Sequence, residues 1–186
     1  MTAEFGLAQS FDAMGSSVAT PPISYTVPTA LLIALIGAAA ILGAYYFQFV
    51  VGLAPCPLCL EQRIPYYMGI PLALVVAIAA WRKAPAWLVA VGFAALAIAF
   101  LVGAGLGVYH AGIEWKFWPG PAECSGPLGQ FGGSGGLLEQ IRTTSLVRCD
   151  EAAWRFMGIS LAGYNVLISL FLAGEAGGTA WRLFRS

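Results

Sequence analysis

Four cysteines are the residues of this chain whose type and spacing could carry chemistry. Cys56 and Cys59 form a C-x-x-C within the segment 55–59 (PCPLC), and Cys124 and Cys149 lie 25 positions apart further along the chain. Thiols at the C-x-x-C spacing exchange readily, and the ease of forming the thiolate controls their reactivity. Two cysteine pairs in one chain could therefore pass two electrons from one disulfide to another.

The spacing leaves three interpretations of the cysteines open. The first is a redox relay, and the second is a pair of structural disulfides that staple two loops in an assembly factor. The third is a metal-handling membrane protein whose four cysteines bind zinc, although the 24 residues between Cys124 and Cys149 are far more than a zinc half-site normally has. The C-x-x-C favours the relay, so no residue is assigned as a metal ligand.

The residues around the C-x-x-C also favour a reactive thiol. Pro57 suits the first position of a helix, which places Cys59 in the first turn beside free N–H groups and the positive end of the helix dipole. Arg63 follows four residues later on the same helical face, at the membrane boundary. Both effects stabilise a thiolate on Cys59. Arg63 would also attract a polar oxygen of a molecule dissolved in the bilayer, or else it extends to the lipid headgroups.

The composition indicates the class of protein to which these cysteines belong. Of the 186 residues, 59% are hydrophobic and 10% charged, whereas globular domains have about 45–50% and about 25%. This is too little charge to cover a water-facing surface, which excludes a cytosolic globular enzyme and a disordered chain. Nine basic and nine acidic residues give no net charge, so nothing supports nucleic-acid binding. The composition predicts an integral membrane protein.

The positioning elements are four uncharged stretches, each long enough as a helix to cross a bilayer, which takes roughly 20 residues. The predicted fold class is an all-α membrane protein, a four-transmembrane-helix bundle over residues 29–175 with a long extracytoplasmic loop between helices three and four. A flexible N-terminal tail (1–28) precedes it and a cytoplasmic C-terminal tail (176–186) follows it. The predicted spans are 29–53, 64–81, 84–109 and 156–174.

Proline and glycine within the spans predict their packing. Pro65 and Pro71 predict a kink in the second helix, because proline removes a backbone hydrogen bond. Gly103, Gly105 and Gly107 predict a close approach of a neighbouring helix to the third, because glycine lets two backbones come near each other.

Basic residues predict the orientation. Arg82 and Lys83 join spans two and three, and Arg182 and Arg185 follow span four, so all four lie on one side of the membrane. The long loop on the other side also holds four basic residues, but spread over more than forty positions, so the raw count does not decide the orientation. The higher density of basic residues favours the first side, with both termini, as the cytoplasmic one. Every cysteine then lies in the two loops outside the cytoplasm, in an oxidising compartment.

The chain resembles the DsbB family of disulfide bond formation proteins. The resemblance is carried by the segment 56–63 (CPLCLEQR), by a second cysteine pair before the last span, and by the segment 109–115 (YHAGIEW) that runs into Cys124. It covers essentially residues 29–175. The family implies a multi-pass protein of the bacterial inner membrane with periplasmic cysteine loops. It would reoxidise a periplasmic DsbA-like thiol oxidase and pass the electrons to a quinone, either ubiquinone or menaquinone.

The resemblance also implies roles for the cysteines. Cys124 would form a mixed disulfide with the reduced partner, and Cys149 would be its resting partner. Cys56 would exchange with the long-loop cysteines and pair at rest with Cys59, whose thiolate would face the quinone.

Three further residues fall at positions that match the family. Arg63 would hold a quinone oxygen, and Gln62 and His110 would line the quinone site. In the long loop itself, hydrophobic residues at helical spacing over 137–145 predict a short amphipathic helix on the membrane surface.

Overall fold

The computed structural model describes residues 22–121 and 149–185, and most of these residues are helical. Four long helices are joined by one π-helical turn, one short helix and one small antiparallel hairpin. In chain order they are α1 (Ile23–Tyr45), the π-helical turn (Tyr46–Val50), α2 (Pro57–Glu61), α3 (Ile64–Trp81), α4 (Ala86–Glu114), β1 (Arg155–Phe156), β2 (Ile159–Ser160) and α5 (Leu161–Arg185).

The long helices close into a bundle in which each packs against two others. Helix α1 lies between α3 and α5, and α4 lies between α3 and α5 on the other side. Three segments are long and apolar enough to cross a membrane, namely Ser24–Val50, Pro57–Trp81 and Ala86–Glu114. The predicted class of a helical membrane protein is thereby confirmed for three spans. Crossing by α5 stays a prediction.

The helix bounds differ from the predicted spans at the two outer helices. Helix α1 begins at Ile23 rather than 29, because Pro28 lies in its second turn, where the missing N–H removes only one backbone bond. Helix α5 begins at Leu161 rather than 156. The preceding hairpin turns through Met157 and Gly158, whose φ angles are 50° and 81°. The helix then continues to Arg185, through the predicted C-terminal tail.

The inner helices lie close to their predicted positions. Helix α3 has the predicted bounds of 64–81, and α4 covers 86–114 rather than 84–109. Pro65 lies in the first turn of α3 and Pro71 within it; a kink at either stays a prediction. Pro65 cannot donate to the carbonyl of Glu61, which explains why α2 ends there and the chain restarts as α3.

The bundle interior is built from aromatic rings set against small residues. Phe93 and Phe100 are completely buried. A Cβ atom added to Gly69 would lie 2.8 Å from the Phe100 ring, so this glycine admits the ring. Leu96 and Leu172 fill the space between α4 and α5.

Two of the three glycines predicted to admit a neighbouring helix do so. A Cβ on Gly107 would lie 2.8 Å from Val166 of α5, and one on Gly103 would lie 3.2 Å from the Ser169 hydroxyl. Gly105 has nothing within 4 Å of that position, so it faces away from α5. The close approach is thus confirmed for alternate glycines, which share one side of α4.

Candidate active site

The C-x-x-C opens the short helix α2. Cys56 is the N-cap residue in an extended conformation, and Pro57 begins the helix as the sequence predicted. The Cys59 N–H donates to Cys56 Sγ at 3.2 Å, and the two sulfur atoms lie 2.6 Å apart as free thiols. The turn therefore holds the two sulfurs in the position that disulfide formation requires.

The environment of Cys56 favours the protonated thiol. Its thiol hydrogen-bonds to Cys59 and its side chain is buried, and both effects raise the pKa of Cys56 above its usual value. In the reduced pair the proton is therefore favoured on Cys56.

Cys149, which follows the long loop, lies next to the C-x-x-C. It is 1% exposed and takes part in a disulfide. Its Sγ, Cys56 Sγ and a ring nitrogen of His110 all lie within 4.8 Å of one another. The structure thus brings together one cysteine from each predicted pair. Cys124 lies outside the described residues, as do the loop helix predicted over 137–145 and residues 1–21 of the predicted tail.

The same cluster bears on the zinc alternative. Cysteine and histidine are zinc ligands, but a coordinating cysteine must be a free thiolate. Cys149 is oxidised in a disulfide, and Cys59 does not belong to the cluster of potential ligands. The described residues therefore do not form the four-cysteine zinc site that the spacing left open.

His110 lies behind Cys56 on helix α4 and is 4% exposed. Its Nδ1 lies 2.7 Å from Gln62 Nε2, and its Nε2 lies 3.7 Å from Cys56 Sγ and 3.8 Å from the Glu114 carboxylate. Gln62 is itself buried, and its amide oxygen accepts from Asn165 Nδ2 at 2.7 Å. Gln62 and His110 thus lie beside the C-x-x-C, and helix α5 contributes Asn165; that the two residues line a quinone site stays a prediction.

Arg63, the N-cap residue of α3, is buried, with 8% exposure. Its Nη1 donates to Gln48 Oε1 at 2.7 Å, and its guanidinium lies 5.3 Å from the centre of the Tyr45 ring. Among the described residues, no carboxylate lies within 4.0 Å of its nitrogen atoms. Because the two groups that hold the guanidinium are neutral, its charge is not balanced by them, and its other N–H groups can donate to a further acceptor.

These polar groups form one end of a cavity of about 640 Å³ between α1 and α5. Its walls are mostly apolar and include Ile36, Ala40, Phe47 and Ile168. The polar end is lined by Cys59, Gln62, Arg63, His110 and Glu114. This volume and this division into apolar walls and a few convergent polar groups are typical of a small-molecule site.

Three polar residues of the site had no predicted role. Gln48 and Asn165 are uncharged polar residues within predicted apolar spans, and a polar side chain at membrane depth is itself a signal of function. Glu114 stands in the segment that carries the family resemblance. It is 9% exposed, and its Oε2 has no hydrogen-bond partner among the described residues.

Comparison with known proteins agrees with this geometry. The family model for disulfide bond formation protein DsbB matches residues 27–177. Disulfide bond formation protein B of Xanthomonas oryzae pv. oryzae is 30% identical over 156 residues, which cover 82% of this chain and 89% of that protein. Its counterpart in Xanthomonas campestris pv. campestris is 32% identical over 138 residues, covering 70% and 76%. The protein of that name from Marinobacter nauticus is 31% identical over 153 residues, covering 76% and 84%.

No solved structure matches the chain. The family match spans both cysteine-bearing regions and all four long helices, so it includes the whole site described above. With three helices able to cross a membrane and a dithiol at their end, the chain belongs to the DsbB family, as an inner-membrane thiol–disulfide oxidoreductase of disulfide bond formation.

Proposed function

We propose that this protein oxidises a periplasmic DsbA-like dithiol partner and passes the electrons to a membrane quinone. The observation that carries the proposal is the position of the C-x-x-C. Cys56 lies beside Cys149, and both Cys56 and Cys59 line the apolar cavity. A cysteine pair placed in this way can take electrons from a second disulfide and deliver them to a ligand dissolved in the bilayer.

The thiol steps balance as successive exchanges of one disulfide for another. A thiolate of the reduced partner attacks Cys124 of a Cys124–Cys149 disulfide, which releases Cys149 as a thiolate. Cys149 attacks Cys56 of the Cys56–Cys59 disulfide, so that a Cys56–Cys149 bond forms and Cys59 leaves with the electron pair. The partner's second thiol resolves the mixed disulfide, and the oxidised partner departs.

The return of the cysteines to their resting pairs completes the cycle. Cys124 attacks Cys149 and releases Cys56, which then forms the Cys56–Cys59 disulfide as Cys59 gives up its electrons. A bound quinone supplies a two-electron, two-proton acceptor for this step. The net change is one dithiol oxidised in the partner and one quinone reduced to the hydroquinone.

The residues at the polar end of the cavity fit a quinone. A quinone ring is flat and apolar with two carbonyl oxygens, and it needs hydrogen-bond donors placed at those oxygens. Arg63 is such a donor, and Gln48 and Tyr45 fix its position. The apolar walls suit the ring substituents of ubiquinone and menaquinone equally well.

The chain path supports the proposed orientation in the bacterial inner membrane. Helix α3 leads away from the cysteines to Arg82 and Lys83, and α4 returns to His110. Helix α5 then leads away again to Arg182 and Arg185. As the fourth span, α5 would place all four basic residues and both termini in the cytoplasm, with the cysteines in the periplasm.

The deciding experiment is quinone reduction by the detergent-purified protein, given a reduced thioredoxin-fold dithiol protein as electron donor. Wild type should turn over with ubiquinone or menaquinone, and Cys59→Ala should not. Gly105→Ala is the matched control, because nothing lies within 4 Å of the added methyl group. Equal turnover by wild type and Cys59→Ala, or none by wild type with either quinone, would refute the proposal.

A further inference from the structure

A chain of hydrogen bonds crosses the bundle from α3 to the C-x-x-C. The Tyr66 hydroxyl donates to Asn165 Oδ1 at 2.7 Å, and Asn165 Nδ2 donates to Gln62 Oε1 at 2.7 Å. Gln62 Nε2 lies 2.7 Å from His110 Nδ1, and His110 Nε2 lies 3.7 Å from Cys56 Sγ. The chain is buried over most of its length and ends on a redox sulfur.

The orientation of the first amide is fixed by a group that can only accept. Asn165 Nδ2 also lies 3.3 Å from the carbonyl oxygen of Gly103, which has no proton to give. The atom facing Gly103 must therefore be the amide nitrogen, and the amide oxygen must face Tyr66. Because that nitrogen also faces Gln62, Gln62 presents its oxygen to Asn165.

The second amide is fixed in the same way. Gln62 Nε2 lies 3.2 Å from the carbonyl oxygen of Leu58, again an acceptor only. The nitrogen that faces Leu58 also faces His110 Nδ1, and an amide nitrogen donates but does not accept. His110 Nδ1 therefore accepts, and a neutral imidazole that accepts at Nδ1 carries its proton on Nε2.

We propose that Asn165 is a positioning residue that acts through Gln62 to hold His110 as its Nε2–H tautomer, whose N–H stabilises negative charge on Cys56. This inference rests on the proposed function, because the charge develops when Cys56 leaves the Cys56–Cys149 disulfide. In the reduced pair the Cys56 and Cys59 thiols share a hydrogen bond. When Cys59 is engaged elsewhere, the His110 N–H is the donor that remains beside the departing sulfur.

The surroundings of His110 are consistent with a neutral ring that donates from Nε2. The titratable groups that face it are Cys56, Glu114 from its own helix, and the disulfide-bonded Cys149, whose sulfur does not titrate. Nε2 lies at similar distances from Cys56 Sγ and the Glu114 carboxylate, 3.7 and 3.8 Å. The backbone of Cys149 also hydrogen-bonds to the ring, so Glu114 and Cys149 both compete with Cys56 for the ring N–H.

His110 is the only histidine of the chain, so its tautomer can be read directly. Nitrogen NMR of full-length protein labelled with ¹⁵N-histidine should show a protonated Nε2 and a bare Nδ1 in wild type. Asn165→Leu, which can neither donate nor accept, removes one of the two groups that orient the Gln62 amide, the other being the Leu58 carbonyl. It should therefore raise the population of the Nδ1–H tautomer above that of wild type. Gln62→Glu should favour Nδ1–H, since a carboxylate accepts and does not donate.

Ser169→Ala is the matched control. Ser169 lies one turn further along α5 and contacts Tyr66 and Asn165 Oδ1, but not Gln62. It should leave the wild-type tautomer in place. A bare Nε2 in wild type, or an unchanged spectrum in both Asn165→Leu and Gln62→Glu, would overturn the proposal. The spectrum needs neither partner nor quinone, so its failure is separate from a failure of the oxidase function.

A second readout follows Cys56 itself. In a Cys59→Ala background, Asn165→Leu should slow alkylation of Cys56 at fixed pH about fivefold, the loss of roughly one hydrogen bond to the thiolate. Ser169→Ala in the same background should not slow it. Equal rates in the Asn165→Leu and parent proteins would show that the His110 N–H does not act on this sulfur.

Discussion

The two ends of the helical bundle are built on different principles. Away from the cysteines the described interior consists of alanines, of branched aliphatic side chains such as Leu96, and of rings such as Phe93 and Phe100, and it is held by packing. At the cysteine end, Gln62, His110 and Asn165 each have defined partners at hydrogen-bond distance. In a lipid environment apolar burial drives helix association weakly, so close packing stabilises the first end and directed bonds specify the second. Packing thus holds the helices together at the apolar end, whereas at the cysteine end hydrogen bonds determine which atom of each polar side chain donates and to which partner.

The largest expected effect on activity comes from a change at the contact between the two cysteine pairs. Cys149→Ser removes the long-loop sulfur that lies beside Cys56. Partner-dependent quinone reduction should fall to background, because the electrons have no route to Cys56. The change also removes the disulfide of Cys149, so the midpoint of thermal unfolding should fall as well. Assays with a reduced thioredoxin-fold dithiol donor test this, with Gly105→Ala as control. Residual turnover above background would mean that Cys149 is not on the route.

The next largest effect should come from the guanidinium. Arg63→Met removes a charged donor, and a hydrogen bond to a charged group contributes about 1.5–3 kcal/mol. The quinone KM should therefore rise roughly tenfold to a hundredfold, with a smaller change in kcat. Steady-state kinetics at varied quinone concentration measure both constants. Arg63→Lys keeps the charge but not the planar fork, and it should lie between the two. An unchanged KM in Arg63→Met would remove Arg63 from the quinone site.

A packing change at the border between the two ends should affect stability. A methyl group on Gly107 would meet Val166, Asn165 and the Ala162 carbonyl within 3.3 Å, whereas one on Gly105 meets nothing within 4 Å. Overpacking costs about 1–3 kcal/mol, so Gly107→Ala should unfold at a lower temperature than Gly105→Ala. Thermal unfolding in detergent compares the pair. Equal midpoints would mean that α4 and α5 have room to separate.

The smallest expected effect concerns the proton on Cys56. Its pKa is raised first by the hydrogen bond to Cys59 and then by burial. Cys59→Ala removes the first cause, so the pKa of Cys56 should fall and the thiolate should form at lower pH. Alkylation of reduced protein across a pH series should therefore reach its half-maximal rate at lower pH in Cys59→Ala than for Cys56 in wild type. A midpoint at the same or higher pH would contradict the shared proton.

The residues at the cysteine end were easier to identify from the sequence than the residues and elements that hold them in place. Cys56, Cys59 and Arg63 were identifiable because residue type and spacing along one short segment carry their chemistry. The bounds of α3 followed from charged residues at both ends of an apolar run. Gln48 and Asn165 could not be assigned partners, because their contacts join residues 15 and 103 positions apart. The hairpin before α5 was missed because two-residue strands leave no periodic pattern.

The π-helical turn at the end of α1 places a constraint of a different kind on the chain. It follows Tyr45, the last residue of α1, and contains Gln48, and these two side chains contact the Arg63 guanidinium. In a helix each residue advances the rotation by about 100°. Deleting Tyr46 or Phe47 would therefore rotate Gln48 by about that angle relative to Tyr45 and the rest of α1. In this turn the number of residues, more than their identity, sets the rotational position of Gln48 relative to α1.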